Sequence, residues 1–292
     1  MGIDQNCAQL LMQAHKSGVS FERMATLGRL ELFAYRRELI SDLRKSGYDT
    51  STDRVRKLLD PKTKYSEDFL SLLGAKEIVA IDVSDYEGAQ ITHDMNRPIP
   101  ESLVSSFDLV LDGGTLEHVF DFPTALRNAA QMVRPKGHFI SMTIANNFCG
   151  HGFYQFSPEL FYRFLCPENG YVMESCIIWE DLHGNRFYRI PDPDSIRSRI
   201  EFTSKYGVYM FVMARRLGDV PREFIPQQSD YVREWQEPSE AARPPSRLTQ
   251  LKRMIKRNRI LRSAAGSVMN RRMRIRGIAR LYVTPLKDLR VI

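Results

Sequence analysis

The sequence predicts an α/β protein built on a mostly parallel sheet with antiparallel closing strands, and three observations carry that prediction. From about residue 53 short apolar runs alternate with helical stretches, the pattern of strands joined by crossover helices. Between Phe107 and Thr143 two strand-like runs flank a helical stretch that stops at Pro135-Lys136-Gly137, a break and a turn. Two later β-rich runs, 171–179 and 208–214, are separated by a polar stretch too long for a hairpin turn.

In chain order, residues 4–46 place apolar side chains at Leu10, Leu11, Ala14, Leu27, Leu30, Phe33, Ala34 and Leu39, near the 3.6-residue period. They read as helices, so an N-terminal helical extension is expected over residues 1–52. Strands are expected at 78–81, 90–92, 109–111 and 138–143, and helices at 66–73 and 123–133. That order is a Rossmann-like half-repeat. Ser157-Pro158-Glu159 offers an N-cap, a first-position proline and an early acid, which opens a helix at 160–165. The insertion 181–206 is placed to cover a site. The α/β domain is therefore expected over 53–218. Residues 219–246 are rich in Pro, Glu, Gln and Ser without a period and read as a linker. Residues 247–292 read as a basic amphipathic helical tail.

With 292 residues, the chain has room for one catalytic-size domain plus extensions. Its 43% hydrophobic and 26% charged residues are ordinary for a globular protein, and no run approaches the roughly 18 apolar residues a membrane span requires. Cys7, Cys149, Cys166 and Cys176 show no metal or disulfide spacing and read as reduced thiols. The N-terminus lacks the basic start and apolar run of a signal peptide, so the expectation is a cytoplasmic protein. The net charge of +7 hides an asymmetry. Residues 243–292 alone carry +14, leaving −7 on the other 242. Such a tail has three readings. One is a peripheral helix on an anionic membrane surface through residues 247–281; another is a contact with nucleic-acid phosphates, which no RNA-binding signature accompanies; the third is a helix docked on the acidic globule.

The segment FDLVLDGGTLEHVFDFPTALRNAAQMVRPKGHFISMTIANN resembles class I S-adenosylmethionine-dependent methyltransferases. The likeness rests on Phe107-Asp108 opening a strand, on Leu116-Glu117-His118-Val119 starting a helix, and on Arg134-Pro135 with Gly137 turning into the next strand. It extends over about residues 53–216. The resemblance implies a cofactor, S-adenosylmethionine, and a methyl transfer to a hydroxyl or amine of a small molecule or glycan. It further implies that Asp82, in IVAIDVS, holds the ribose hydroxyls and that Asp94, in ITHDMN, lies near the adenine amino group. Asp112, Gly113 and Gly114 fall on the cofactor side of the fourth strand's end.

The first strand of that family ends in an acid followed by glycines, whose absent side chains let backbone approach the cofactor. The stretch aligned with it here is RKLLDPKTKYSEDF, with Asp60 at the acid's place and Pro61, Lys62, Thr63 and Lys64 where the glycines belong. Three consequences stand open: a rebuilt loop, space opened from the other side by Gly113 and Gly114, or a domain without activity. The last would make the chain a non-catalytic interaction platform, and a binding module driven by the basic tail is a further alternative.

For proton transfer the candidates are His118 and His151, because imidazole titrates near neutral pH. His118 also reads as a helix-start residue, and Glu117 as a group that caps it, orients it or favours the helix N-terminus. After the fifth strand, NNFCGHGFYQFSPE packs amides and aromatics into one loop, and such loops are where α/β ligands bind. Asn146, Asn147, Tyr154 and Gln155 are the candidate substrate contacts, against an ordered structural loop. No metal is expected, since His93, Asp94, Asp112, His118 and His151 match no metal-ligand spacing.

Overall fold

The computed structural model describes residues 2–60, 62–181, 186–221 and 223–236, with the backbone of 275–276 and 283–284. The chain opens with β1 (Gly2–Ile3), α1 (Gln5–Lys16), β2 (Arg23–Leu27), β3 (Glu31–Leu32), α2 (Arg36–Lys45), α3 (Asp53–Leu59) and α4 (Glu67–Leu72). The central part follows as β4 (Glu77–Asp82), β5 (Ile91–Thr92), β6 (Phe107–Asp112), α5 (Phe122–Met132), β7 (Val133–Asn146) and α6 (Pro158–Phe164). Then come β8 (Tyr171–Glu180), β9 (Phe187–Arg189), β10 (Glu201–Phe202), β11 (Val208–Arg216), α7 (Ser229–Gln236), β12 (Ile275–Arg276) and β13 (Val283–Thr284).

The main sheet runs β13-β9-β8-β11-β7-β6-β2-β4-β5. Its β5-β4-β2-β6-β7 portion is parallel, and β11 pairs antiparallel with both β7 and β8, which closes the sheet as the sequence predicts. The parallel strands are buried on both faces, so β6 reads FDLVLD with all six residues buried. Alternate side chains feed two cores. Met24, Leu109, Leu111 and Phe211 pack with Leu11, Leu39 and Phe69 of the α1, α2 and α4 helices. Ala25, Val110, Phe139 and Val212 pack with Leu126, Met132 and Phe161 of α5 and α6 on the other face.

The N-terminal region corrects one expectation. Residues 4–46 do contain α1 and α2, but between them lies β2, the strand at the centre of the parallel sheet. Ala25 pairs with Val79 on one side and Val110 on the other. The α/β domain therefore starts well before residue 53. Helical periodicity misled because Met24, Ala25 and Leu27 are good helix formers and β2 is only five residues long.

Asp108 ties this strand to the rest. Its buried carboxylate accepts from the Arg23 amide at 3.0 Å and pairs with Arg134 in the turn that leads into the body of β7. The Phe-Asp and Arg-Pro-x-Gly signatures thus meet in space at the start of β2. Gly137 completes that corner, since a Cβ there would stand 2.6 Å from the Asp108 carbonyl oxygen.

Elsewhere the insertion 181–206 contributes β9, which extends the sheet beside β8, and β10. The expected linker contains the helix α7. The expected basic helix falls outside the described residues apart from β12 and β13, two-residue stretches paired with β10 and β9. Among the described residues no helix is long and apolar enough to cross a membrane.

Two measurements check this arrangement. In native-state hydrogen exchange the amides of Ala25, Thr26 and Leu27 are expected among the slowest in the chain, as a central strand requires, whereas a peripheral extension would exchange early. Asp108→Ala is expected to lower stability by ~1–3 kcal/mol in denaturant unfolding, because a buried amide loses its acceptor and Arg134 its partner.

Candidate active site

A doubly wound sheet binds ligands in the crevice outside the carboxyl ends of its strands, where the strand order reverses. Here that point lies between β2 and β6. The loop after β2 holds Gly28 at φ +72°, a conformation glycine adopts without strain, and its amide donates to Ile81 of β4 at 2.7 Å. Arg29 follows, bonded to Glu67 at 2.6 Å and to the Glu87 carbonyl at 2.9 Å, with its guanidinium over the Tyr65 ring. Leu30 then turns inward against Gly113, where a Cβ would lie 2.6 Å from it.

This loop, not the one at Asp60, is the first-strand loop. Asp60 caps the C-terminus of α3 and accepts from the Lys62 amide in a local turn, and Lys64 pairs with Glu31 and Glu87. The aligned stretch was displaced because α2, α3 and α4 intervene between β2 and β4, a longer crossover than the pattern allows for. Gly28 is the one glycine the rebuilt loop keeps.

On one side of the switch point Asp82, at the end of β4, and Asp94, just beyond β5, line a common cavity of about 410 Å³. Ile81, Val83, Met95 and Val119 supply apolar walls, and Thr115 and His118 the floor nearest β6. One Asp82 oxygen accepts from the Val83 amide. Asp94 accepts from the amide and side chain of Asn96, which hold its carboxyl below the usual range. Apolar walls with two carboxylates at the rim suit a nucleoside, whose base needs contact area and whose hydroxyls and amino group need acceptors.

Asp112 has a different place from the one expected. Fully buried, it accepts from Ser141 Oγ at 2.7 Å and from the amides of Thr115 at 2.8 Å and Leu116 at 3.4 Å. It closes the turn after β6 rather than facing a ligand. Gly113 likewise makes room for Leu30, and Gly114, at φ +95°, lies beside the Glu117 carboxylate.

Beyond that turn lies a second cavity of about 180 Å³, lined by Gly114, Glu117, Thr143, His151, Trp179 and Tyr209 among others. The N-terminal segment completes its wall. Gly2 donates to the Gly113 carbonyl at 3.1 Å while β1 pairs with β3, which brings Asp4, Cys7 and Phe33 to the chamber. The Trp179 indole nitrogen is buried without a hydrogen-bond partner among the described residues. Glu117 is buried, and its Oε2 accepts from Thr143 Oγ1 at 3.0 Å. Burial first, and then the charge of Asp112 behind it, push the Glu117 carboxyl up to about 8.

The loop after β7 folds back onto this turn. The Glu117 carbonyl accepts from the Phe153 amide at 2.7 Å and from the Tyr154 amide at 3.2 Å, and Gly152, at φ +70°, passes so close that a Cβ would stand 2.7 Å from the same oxygen. His151 is thereby set against His118, with ring centroids 4.8 Å apart. The atoms packed around His118, and His151 beside it, hold its pKa below the ordinary imidazole value.

The four expected substrate contacts lie on this loop with their polar groups engaged within it or its neighbours. Asn146 accepts from the Asn147 amide, and the Asn147 side chain donates to the Ser204 and Tyr206 carbonyls. Gln155 accepts from the Phe148 amide, and the Tyr154 hydroxyl donates to the Phe120 carbonyl. The structure thus brings Asp82 and Asp94 together, and His118 with His151, while Asp60 and Asp112 stand elsewhere. Sequence reasoning missed the chamber residues Thr143, Trp179 and Tyr209. It read Glu117 as a group that caps His118, orients it or favours the helix N-terminus, and did not name it as a chamber residue, although its place beside His118 in Leu-Glu-His-Val was a signal.

Residues 64–141 match the family model described as a methyltransferase domain. No curated protein matches the chain. Among solved structures, an S-adenosylmethionine-dependent methyltransferase from Mesorhizobium loti is 15% identical, covering 72% of this chain and 98% of its own, with a TM-score of 0.38. The N-methyltransferase NodS from Bradyrhizobium japonicum is 12% identical over 73% of this chain and 96% of its own, at a TM-score of 0.37. The 1,6-didemethyltoxoflavin N1-methyltransferase of Burkholderia thailandensis is 13% identical over 72% and 77%, at 0.36. The matched segment runs from the approach to α4 into β7, and the strand order around β2 is that of a doubly wound, Rossmann-like sheet, so this segment is similar to a methyltransferase domain.

Proposed function

We propose that this enzyme methylates a hydroxyl or amine of a small molecule or glycan, with the cofactor's nucleoside in the cavity of Asp82 and Asp94 and the acceptor in the chamber of Glu117 and Trp179. One observation carries the reading: the two cavities adjoin across a single turn, Thr115 to His118, whose residues line both. A donor in one and an acceptor in the other would meet beside that turn.

S-adenosylmethionine supplies an activated methyl group on a sulfonium, so that the protein's work is positioning and proton removal. Asp82 offers a carboxylate to a pair of vicinal hydroxyls, and Asp94 accepts at the far end of the cavity. In the chamber, Trp179 offers an unmatched N–H donor to an acceptor oxygen, and its stacking on Tyr209, at 5.7 Å between centroids, makes an aromatic wall. Such a wall with few polar groups suits a sugar ring or another compact neutral molecule. Glu117, or an imidazole of the His118 and His151 pair, takes the proton that the acceptor releases.

Calorimetric titration with S-adenosylhomocysteine is expected to show saturable 1:1 binding, weakened ~10-fold or more by Asp82→Ala through the loss of charge-assisted hydrogen bonds. Folded protein that binds no S-adenosylhomocysteine would overturn the reading. Gly152→Ala is expected to cost ~1–3 kcal/mol of stability, since the new Cβ meets a carbonyl oxygen and strains a positive-φ position, while S-adenosylhomocysteine binding persists.

A further inference from the structure

We propose that Glu117, His118 and His151 bind one divalent transition-metal ion of the zinc type, at the seam between the nucleoside cavity and the acceptor chamber. One ligand atom from each lies within 4.8 Å of the others. The cluster assembles because the Glu117 carbonyl, through its bonds to the 153 and 154 amides, draws the loop carrying His151 back over the turn carrying His118. Linear spacing could not reveal it, since ligands at 117, 118 and 151 match no sequence motif.

Three features favour a cation over a bare proton relay. Glu117 is a buried carboxylate that no lysine or arginine pairs with among the described residues, and Thr143 is its hydrogen-bond donor. Ionising a carboxyl in that setting is costly without a counter-charge, and a bound cation would supply it. Neither His118 nor His151 has a ring nitrogen engaged in a hydrogen bond among the described residues; their contacts are aromatic. The donor set is imidazole, imidazole and carboxylate, which suits zinc, cobalt, iron or manganese and leaves coordination positions open. Ligand atoms around such an ion sit about 3.3–3.5 Å apart for bonds of ~2.0–2.1 Å. Both histidines are exposed, and modest rotations about their side chains close the remaining gap.

The inference goes beyond the methyl transfer proposed above and does not need it to be true in order to be tested. Within that reaction, the ion's charge would lower the pKa of an acceptor hydroxyl. With Glu117 and both imidazoles held on the ion, the released proton passes to water and not to these side chains as in the metal-free reaction; the oxygen bonds the methyl carbon, and the electron pair of the broken carbon–sulfur bond stays on sulfur.

The test uses the full chain without an affinity tag, stripped with a chelator and then titrated with Zn²⁺ by calorimetry and with Co²⁺ by visible absorption. One equivalent is expected, with cobalt bands of a low-symmetry nitrogen and oxygen site. His118→Ala and His151→Ala are each expected to weaken binding ~10-fold or more, and the double variant to abolish it. Both positions are exposed, so these variants carry the test even where Glu117→Gln fails to fold. Cys149→Ser serves as a control and is expected to bind zinc as the parent does. Zinc binding kept by Asp82→Ala, in which S-adenosylhomocysteine binding is weakened, separates this inference from the proposed reaction. Full zinc affinity in the double histidine variant, or no saturable binding by the parent chain, would overturn it.

Discussion

At the end of β6 the Asp112 carboxylate accepts from Ser141 on β7 and from the amides of Thr115 and Leu116, and the turn between the two cavities depends on those bonds. A fully buried carboxylate is costly to hold ionised, and burial raises its pKa even though each of the three donors pulls it back. What the bonds secure is the turn from Gly113 to His118. Thr115 adds a bond to the Leu27 carbonyl at 2.6 Å, which fastens the same turn to the end of β2. One short segment is thereby locked to β2, β6 and β7 at once, and it is the segment that divides the Asp82 cavity from the Glu117 chamber. The negative charge so installed also lies behind Glu117 and contributes to raising its pKa.

The fold was legible where pattern and burial coincide. β4, β6, α5 and β7 are long or strongly patterned, and a parallel strand buried on both faces announces itself as an apolar run. β2 was not legible, although it is central, because its five residues offer Thr26 as the one β-branched side chain and otherwise fall into the helical period of their neighbours. Its partners decide its conformation. The backbone of β2 forms ladder bonds on both sides, with β4 and with β6, and tertiary context overrides a weak local preference. Misplacing this one strand moved the first loop by more than 30 residues and produced the expectation of an acid at Asp60.

The site was legible to the extent that it lies at strand ends. Asp82 and Asp94 could be placed because the resemblance puts acids at the ends of those two strands, and the structure sets them on one cavity. Asp112 also ends a strand, but no sequence pattern tells whether a terminal carboxylate points outward to a ligand or back to cap its own turn. Ser141, 29 positions on, decides it. The loop from Asn146 to Gln155 gives the converse case. Its amides were read as ligand contacts because burying them unpartnered is costly, yet that requirement is met by carbonyls and amides of the loop and of residues 204 and 206. What the loop delivers to the cleft is His151.

The N-terminal segment shows why this domain closes its chamber with so little protein. β1 lies beside β3, and Gly2 bonds the carbonyl of Gly113, so the approach to α1 crosses the carboxyl end of the sheet before the chain enters the sheet at β2. Leu30, from the loop after β2, fills the space that Gly113 leaves, which packs that loop directly on the turn after β6. In a glycine-rich loop this space would stay open to a ligand. Here a leucine takes it, Arg29 is clamped by Glu67 and Tyr65, and Gly28 alone keeps the backbone close to β4. The rebuilt loop therefore exchanges open backbone for packing, and the open space lies on either side of the turn, towards Asp82 and towards Trp179. The walls of the Trp179 chamber come from chain segments far apart in sequence. Phe33 and Cys7 come from before or just after the first sheet strand, and Trp179 and Tyr209 from the antiparallel pair that closes the sheet. Both groups share the chamber with Gly113, Gly114 and Glu117 of the turn that Asp112 holds.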